Sequence, residues 1–137
     1  LVRRGIFRAG LPLPLLLAAA LSLGCAATAV AQEPLFIVEG ISIDATAGDA
    51  NAARQIAHAT GMREALNVLL RRITLREHRS RLPIPETAEV ESLVFGIEID
   101  NERTSNTRYL ASLTVSFSRE AIRTLLRRAE VPFTEAS

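Results

Sequence analysis

The sequence predicts an α+β fold. It is a two-layer sandwich in which a three-stranded sheet carries one long helix and one or two shorter helices on a single face, in the order β-α-α-β-β-α. Three observations predict it. From Asp49 to Ile73 apolar residues recur at three- and four-residue steps; from Phe95 to Phe117 two alternating runs flank a polar turn; and a single further strand-like run, Leu35 to Asp44, precedes them. Three strands cannot bury an apolar face alone, so the helices must supply the second layer.

Along the chain, the first strand breaks its own alternation. Phe36 and Val38 are in one phase and Ile41 and Ile43 in the other, so a bulge at Gly40 is expected to return both pairs to one face. Asp44 or Thr46 is placed to cap a helix entry, with Gly48-Asp49 opening the long helix. Its predicted inner stripe is Ala52, Ile56, Ala59, Met62, Leu66, Leu69 and Ile73, alanine-rich early for a close approach and leucine-rich late to fill a thicker core. A polar loop runs from Arg76 to Arg81. Pro85 suits a first helical position and Glu86 and Glu89 suit a positive helix end, so a short helix is expected there, with Val90, Leu93 and Val94 inward and Gly96 just past its end. Phe95, Ile97 and Ile99, then Tyr109, Ala111, Leu113, Val115 and Phe117, form the dry face of a hairpin turning at Thr104-Ser105-Asn106-Thr107. Ser118 is the expected N-cap of a last helix, whose apolar side is Ala121, Ile122, Leu125, Leu126 and Ala129 and which ends before Pro132.

The first 31 residues read as a signal peptide and 32–137 as a single domain. Arg3, Arg4 and Arg8 precede an uncharged run from Leu11 to Leu23, and Ala29-Val30-Ala31 supplies a small-x-small site for cleavage between Ala31 and Gln32. That run is shorter than the roughly 20 residues a bilayer requires. The expected location is therefore the periplasm. The alternative is a membrane-anchored lipoprotein, because Leu21-Ser22-Leu23-Gly24-Cys25 resembles a lipobox with Cys25 acylated, although Ser22 and Leu23 stand in reversed order. Cleavage after Ala31 removes the one cysteine, which excludes disulfides and thiolate chemistry from the remainder. It also removes three of the 16 basic residues, leaving 13 arginines against 15 acidic residues, which is no nucleic-acid footprint.

No catalytic, cofactor-binding or metal-ligating constellation emerges. His58 and His78 have no partner at ligand spacing and read as surface residues. Glu98 or Asp100 with one histidine is the sole basis for a hydrolase, and alternation already explains both carboxylates as solvent-face positions. Arg71, Arg72, Arg76, Arg79 and Arg81 form the densest charge cluster, a candidate anion site for a lipid headgroup, a phosphate or an acidic partner. Leu110, Ser112 and Thr114 alternate outward on the hairpin and mark a candidate interaction face, open if helices cover only one side of the sheet.

The stretches Phe36-Ile37-Val38-Glu39-Gly40-Ile41-Ser42-Ile43-Asp44-Ala45-Thr46-Ala47, Gly61-Met62-Arg63-Glu64-Ala65-Leu66, and Asn101-Glu102-Arg103-Thr104-Ser105 through Arg108-Tyr109-Leu110-Ala111-Ser112-Leu113-Thr114-Val115 resemble domain-of-unknown-function family 2066, a group of exported proteobacterial proteins. The likeness covers nearly all of Leu35 to Phe133. It implies export and a shared fold, assigns no chemistry to any residue, and implies that a second segment often follows the position matching Phe133, so a truncated form is the expectation for this sequence. The functional expectation is a non-catalytic interaction module that binds another envelope protein. No cofactor or nucleic acid is expected, membrane contact is expected only through an acylated Cys25, and the sequence leaves the oligomeric state open.

Overall fold

The computed structural model describes residues 34–135, so the leader, the Ala31-Gln32 cleavage site and Cys25 lie outside the described residues. The elements are β1 (Ile37–Thr46), α1 (Ala50–Ile73), α2 (Thr87–Leu93), β2 (Val94–Thr104), β3 (Arg108–Phe117) and α3 (Arg119–Arg128), with short 3-10 segments at Pro34–Phe36 and Arg76–Arg81. The three strands form one antiparallel sheet in the order β1-β3-β2, so the last strand is central and β2 is an edge. The α+β class and the element order follow the sequence expectation.

Strand β1 bulges as its broken alternation demands. Its register against β3 shifts between Val38 and Ile41, Gly40 takes a positive φ of 72°, and Phe36, Val38, Ile41 and Ile43 are all buried. A second shift lies between Asp100 and Arg103 in β2, where Asn101 adopts φ 53°. Because only glycine enters this region without strain and asparagine enters it more easily than alanine, Gly40→Ala is expected to cost about 1–2 kcal/mol in urea unfolding. Gly40→Asn should cost less.

Helix α1 starts one turn later than either sequence-nominated cap. Asp49, not Asp44 or Thr46, is the N-cap, its side chain accepting from the Ala52 amide at 2.9 Å. Its buried face also differs in the first half, where Ala53, Ala57 and Gly61 are buried while Ile56 is 51% exposed. From Met62 onward the expected positions hold, with Leu66, Leu69 and Ile73 buried. Gly61 is where helix and sheet meet most closely: a Cβ there would lie 2.5 Å from Ile43 Cγ2 and 2.7 Å from Leu113 Cδ1.

Helix α2 begins at Thr87 rather than Pro85, and Gly96, expected past a helix end, lies inside β2. Ser118 caps α3 as expected, its hydroxyl accepting from the Ala121 amide. The helix closes with the Val131 amide donating to Leu126 O and the Glu130 amide to Arg127 O, a Schellman motif with Glu130 at φ 54°. Val131, Ile122, Leu125 and Leu126 thereby join one core with Tyr109, Leu113, Val115 and Phe117. Beyond it, the Thr134 amide donates to Ile73 O and Glu135 pairs with Arg123, fastening the end of the described chain against α1 and α3.

Candidate functional site

Helix α1 lies over β1 and β3, and among the described residues the helices send their buried side chains into the core on that face, with none covering the opposite one. Residues paired across antiparallel strands share a face, so the register reads that surface row by row. One row is Ser42, Ser112 and Asp100, the next Asp44, Leu110 and Arg103, and Glu98 stands across from Thr114. Leu110, Ser112 and Thr114 are thus brought together on the central strand of the open face, each half-buried. Ser42, Asp44, Asn101, Arg103, Leu110 and Ser112 border a shallow depression there. Arg108 grips Asp44 through both carboxylate oxygens, which holds that carboxyl below its usual range and gives the rim a fixed ion pair.

The β2 edge departs from expectation. Alternation puts Phe95, Ile97 and Ile99 on the dry face, yet Phe95 is 73%, Ile97 36% and Ile99 43% exposed. Ile97 and Ile99 pair with Val115 and Leu113 and therefore do lie on the helix side, but α1 packs on β1 and β3 and meets β2 through the Arg54–Glu102 pair, leaving these two side chains partly uncovered. Phe95 falls at a register shift between Val94 and Gly96, which takes it out of the alternation. The other edge is guarded at its start. Arg72 Nη1 donates to Leu35 O at 3.0 Å and Ile37 O at 2.9 Å, occupying carbonyls where β1 begins, and the Gly40 bulge breaks the strand before the regular run from Ile41 to Thr46.

The arginine cluster is spread over the end of α1 and the turn after it, and two of its five members, Arg72 and Arg79, serve the backbone. Arg79 donates to Arg71 O at 2.8 Å, an acceptor left over by the helix end, and Arg81 donates to His78 Nδ1 at 2.8 Å. With Arg72 committed to β1, Arg71 and Arg76 are the cluster members whose side chains have no partner among the described residues.

Sequence reasoning missed one constellation. His58, expected at the surface, is half-buried with Nε2 3.1 Å from the Tyr109 hydroxyl, the two rings edge to face at 5.4 Å. The Arg54 guanidinium sits 5.1 Å above the Tyr109 ring and pairs with Glu102 on β2 at 2.8 Å. Burial, then the Arg54 charge, push the His58 pKa down; burial first pushes the Tyr109 pKa up. Arg54 and His58 share a helix face at i, i+4, but their partner lies 51 residues beyond His58, and only the fold reveals it. Tyr109 is fully buried, so its hydroxyl is out of a ligand's reach and the cluster braces α1 to the hairpin. Glu98 and Asp100 are on the open face and His58 on the helix that covers the other, which separates the residues a hydrolase would combine. Among the described residues no group of His, Cys, Asp or Glu could hold a metal ion, and no helix is long and apolar enough to cross a membrane.

Fold and site together define a small two-layer α+β domain with one polar open sheet face and one apolar free edge. Comparison of the chain with protein-family models, curated proteins and solved structures found no match.

Proposed function

We propose that this chain is an exported, non-catalytic interaction module of the cell envelope, related to domain-of-unknown-function family 2066, which binds an envelope protein through its open sheet face and β2 edge in the periplasm. The leader-like composition of the first 31 residues supports export. The observation that carries the binding reading is the exposure of Phe95, Ile97 and Ile99 beside the uncovered face, because large apolar side chains grouped at a surface mark interaction sites.

A photo-reactive amino acid placed at Ile97 or Ser112 in the host is expected to yield a discrete adduct with an envelope protein, whereas the same group at Glu64, on the outer side of α1, yields none. Equal labelling at all three positions, or none, overturns the reading. Leu110→Asp is expected to abolish the Ser112 adduct while costing under about 1 kcal/mol of stability, as befits a half-buried surface position. Unfolding of that variant would make the face part of the core.

A second reading is a lipid-anchored envelope protein whose arginine loop meets anionic headgroups. It draws on Arg71 and Arg76, which have spare guanidinium donors. An intact mass that includes an acyl group on Cys25 supports it, and a mass beginning at Gln32 sinks it.

A further inference from the structure

We propose that the free edge of β2 is a strand-addition site for an extended segment that alternates apolar with basic residues. The proposal rests on the interaction-module reading and names the partner's chemistry.

Between its irregular points at Phe95 and Asn101, β2 runs in unbroken register from Gly96, opposite Ser116, to Asp100, opposite Ser112. Five residues at about 3.4 Å each give roughly 17 Å of regular strand. One side of this stretch pairs with β3, and among the described residues no other backbone hydrogen bond reaches it, so the outward amides and carbonyls face solvent. An edge of this kind templates another strand unless something blocks it. Arg72 and the Gly40 bulge block only the start of the β1 edge, and Ile41 to Thr46 beyond them is regular. Ile41 and Ile43 there are buried, however, and Asp44 is held by Arg108, so that edge lacks the exposed apolar pair and the free carboxylates that β2 presents along these five residues.

The side chains then specify the occupant. Ile97 and Ile99 project to the helix side, partly exposed, and Glu98 and Asp100 to the open side, where neither has an ion-pair partner among the described residues. A strand laid along this edge sets its own residues beside them at directly opposed positions. Apolar residues extend the Ile97 and Ile99 surface, and arginine or lysine meets Glu98 and Asp100. A second copy of the chain fits poorly, because antiparallel pairing of β2 with itself places Glu98 and Asp100 of both copies on one face, opposite or diagonal to each other, where like charges repel. The nearest cation on that strand, Arg103, lies past the bulge and out of this register.

The test uses the full chain and five capped heptapeptides: alternating valine and arginine, the same with glutamate for arginine, a scramble of the first, and two forms of the first N-methylated at alternate residues, one along each edge. Binding is read by calorimetry and amide chemical shifts. The valine-arginine peptide is expected to bind and to shift amides from Gly96 to Asp100, with the glutamate and scrambled peptides about tenfold weaker. The Glu98→Arg, Asp100→Arg double variant, changed only at exposed positions, is expected to reverse the preference. N-methylation along one edge of the peptide should abolish binding, and along the other edge should leave it intact. Indifference to N-methylation on either edge reduces the effect to charge attraction and overturns the proposal. So does equal binding of the scramble, no binding of any peptide, or a concentration-dependent dimer that Ile97→Lys dissolves. A photo-adduct at Ile97 with no peptide binding removes the proposed partner chemistry and leaves the interaction module standing; absence of both removes both.

Discussion

Gly61→Leu is expected to leave the domain unfolded or nearly so at room temperature. The first half of α1 meets the sheet through Ala53, Ala57 and Gly61, and at Gly61 a single added carbon would already lie within 2.5 Å of Ile43 and 2.7 Å of Leu113. Both neighbours are buried, one on β1 and one on the central strand, so neither can swing into solvent. Gly61→Ala sets two effects against each other. Alanine is better than glycine inside a helix by about 1 kcal/mol, while one extra group in a packed core costs typically about 1–3 kcal/mol. The net expectation is a loss of about 1 kcal/mol. Leucine adds three more carbons to the same gap, and the strain then approaches the roughly 5–15 kcal/mol that hold a small domain together. Urea unfolding followed by circular dichroism measures both variants. A double-mutant cycle isolates the contact: in a Leu113→Ala background the Gly61→Ala penalty should vanish or change sign, because the methyl then fills vacated space. If Gly61→Ala alone raises stability by the full helix-propensity gain, the close approach is not a constraint.

That contact also shows where the sequence was legible and where it was not. The bulge at Gly40 could be read because two apolar pairs fell out of phase across a glycine, and only one geometry repairs that. Ser118 as a cap, the hairpin and the order of elements were legible for the same reason, since local chemistry decides them. The early face of α1 was not. Periodicity locates apolar residues, and Ile56 dominated that count, whereas a close helix-sheet approach is made by the smallest side chains, so Ala53, Ala57 and Gly61 carried little signal. Strand β2 failed differently. Its alternation correctly placed Ile97 and Ile99 on the helix side, but alternation cannot report whether a helix extends far enough to cover an edge. The candidate site divides along the same line. Leu110, Ser112 and Thr114 were found by parity, while the exposed edge and the brace around Tyr109 depend on strand order and on pairs about 50 residues apart.

Tyr109→Ala is the second large expected effect, a loss of about 3–5 kcal/mol as for other buried aromatic truncations. Tyr109 is fully buried on β3, carries Arg54 over its ring and meets His58 at its hydroxyl, so its removal opens the core and releases the brace between α1 and β2. Tyr109→Phe keeps the ring and should cost about 1 kcal/mol, the net worth of one hydrogen bond. The same pair imposes a pH dependence whose sign comes from the two shifts. The His58 pKa lies below its ordinary 6.5 in the folded chain, with burial the main cause, so the unfolded chain takes up that proton first. Stability is unpenalised above pH 6.5 and falls as the pH drops from there through the folded pKa. The Tyr109 pKa is raised above 10, so at the alkaline end stability falls as the pH rises from 10 toward the folded value. Below the histidine range, Asp44 and Glu135, whose folded pKa values are depressed by Arg108 and Arg123, withdraw their own contributions as they protonate. Urea midpoints at about pH 7.5 and about pH 5.5 separate these groups, because His58→Gln should flatten the difference between the two while leaving the loss at lower pH in place. A midpoint that falls equally in the wild-type chain and in His58→Gln would assign the acid sensitivity to another group and reduce the His58–Tyr109 contact to packing.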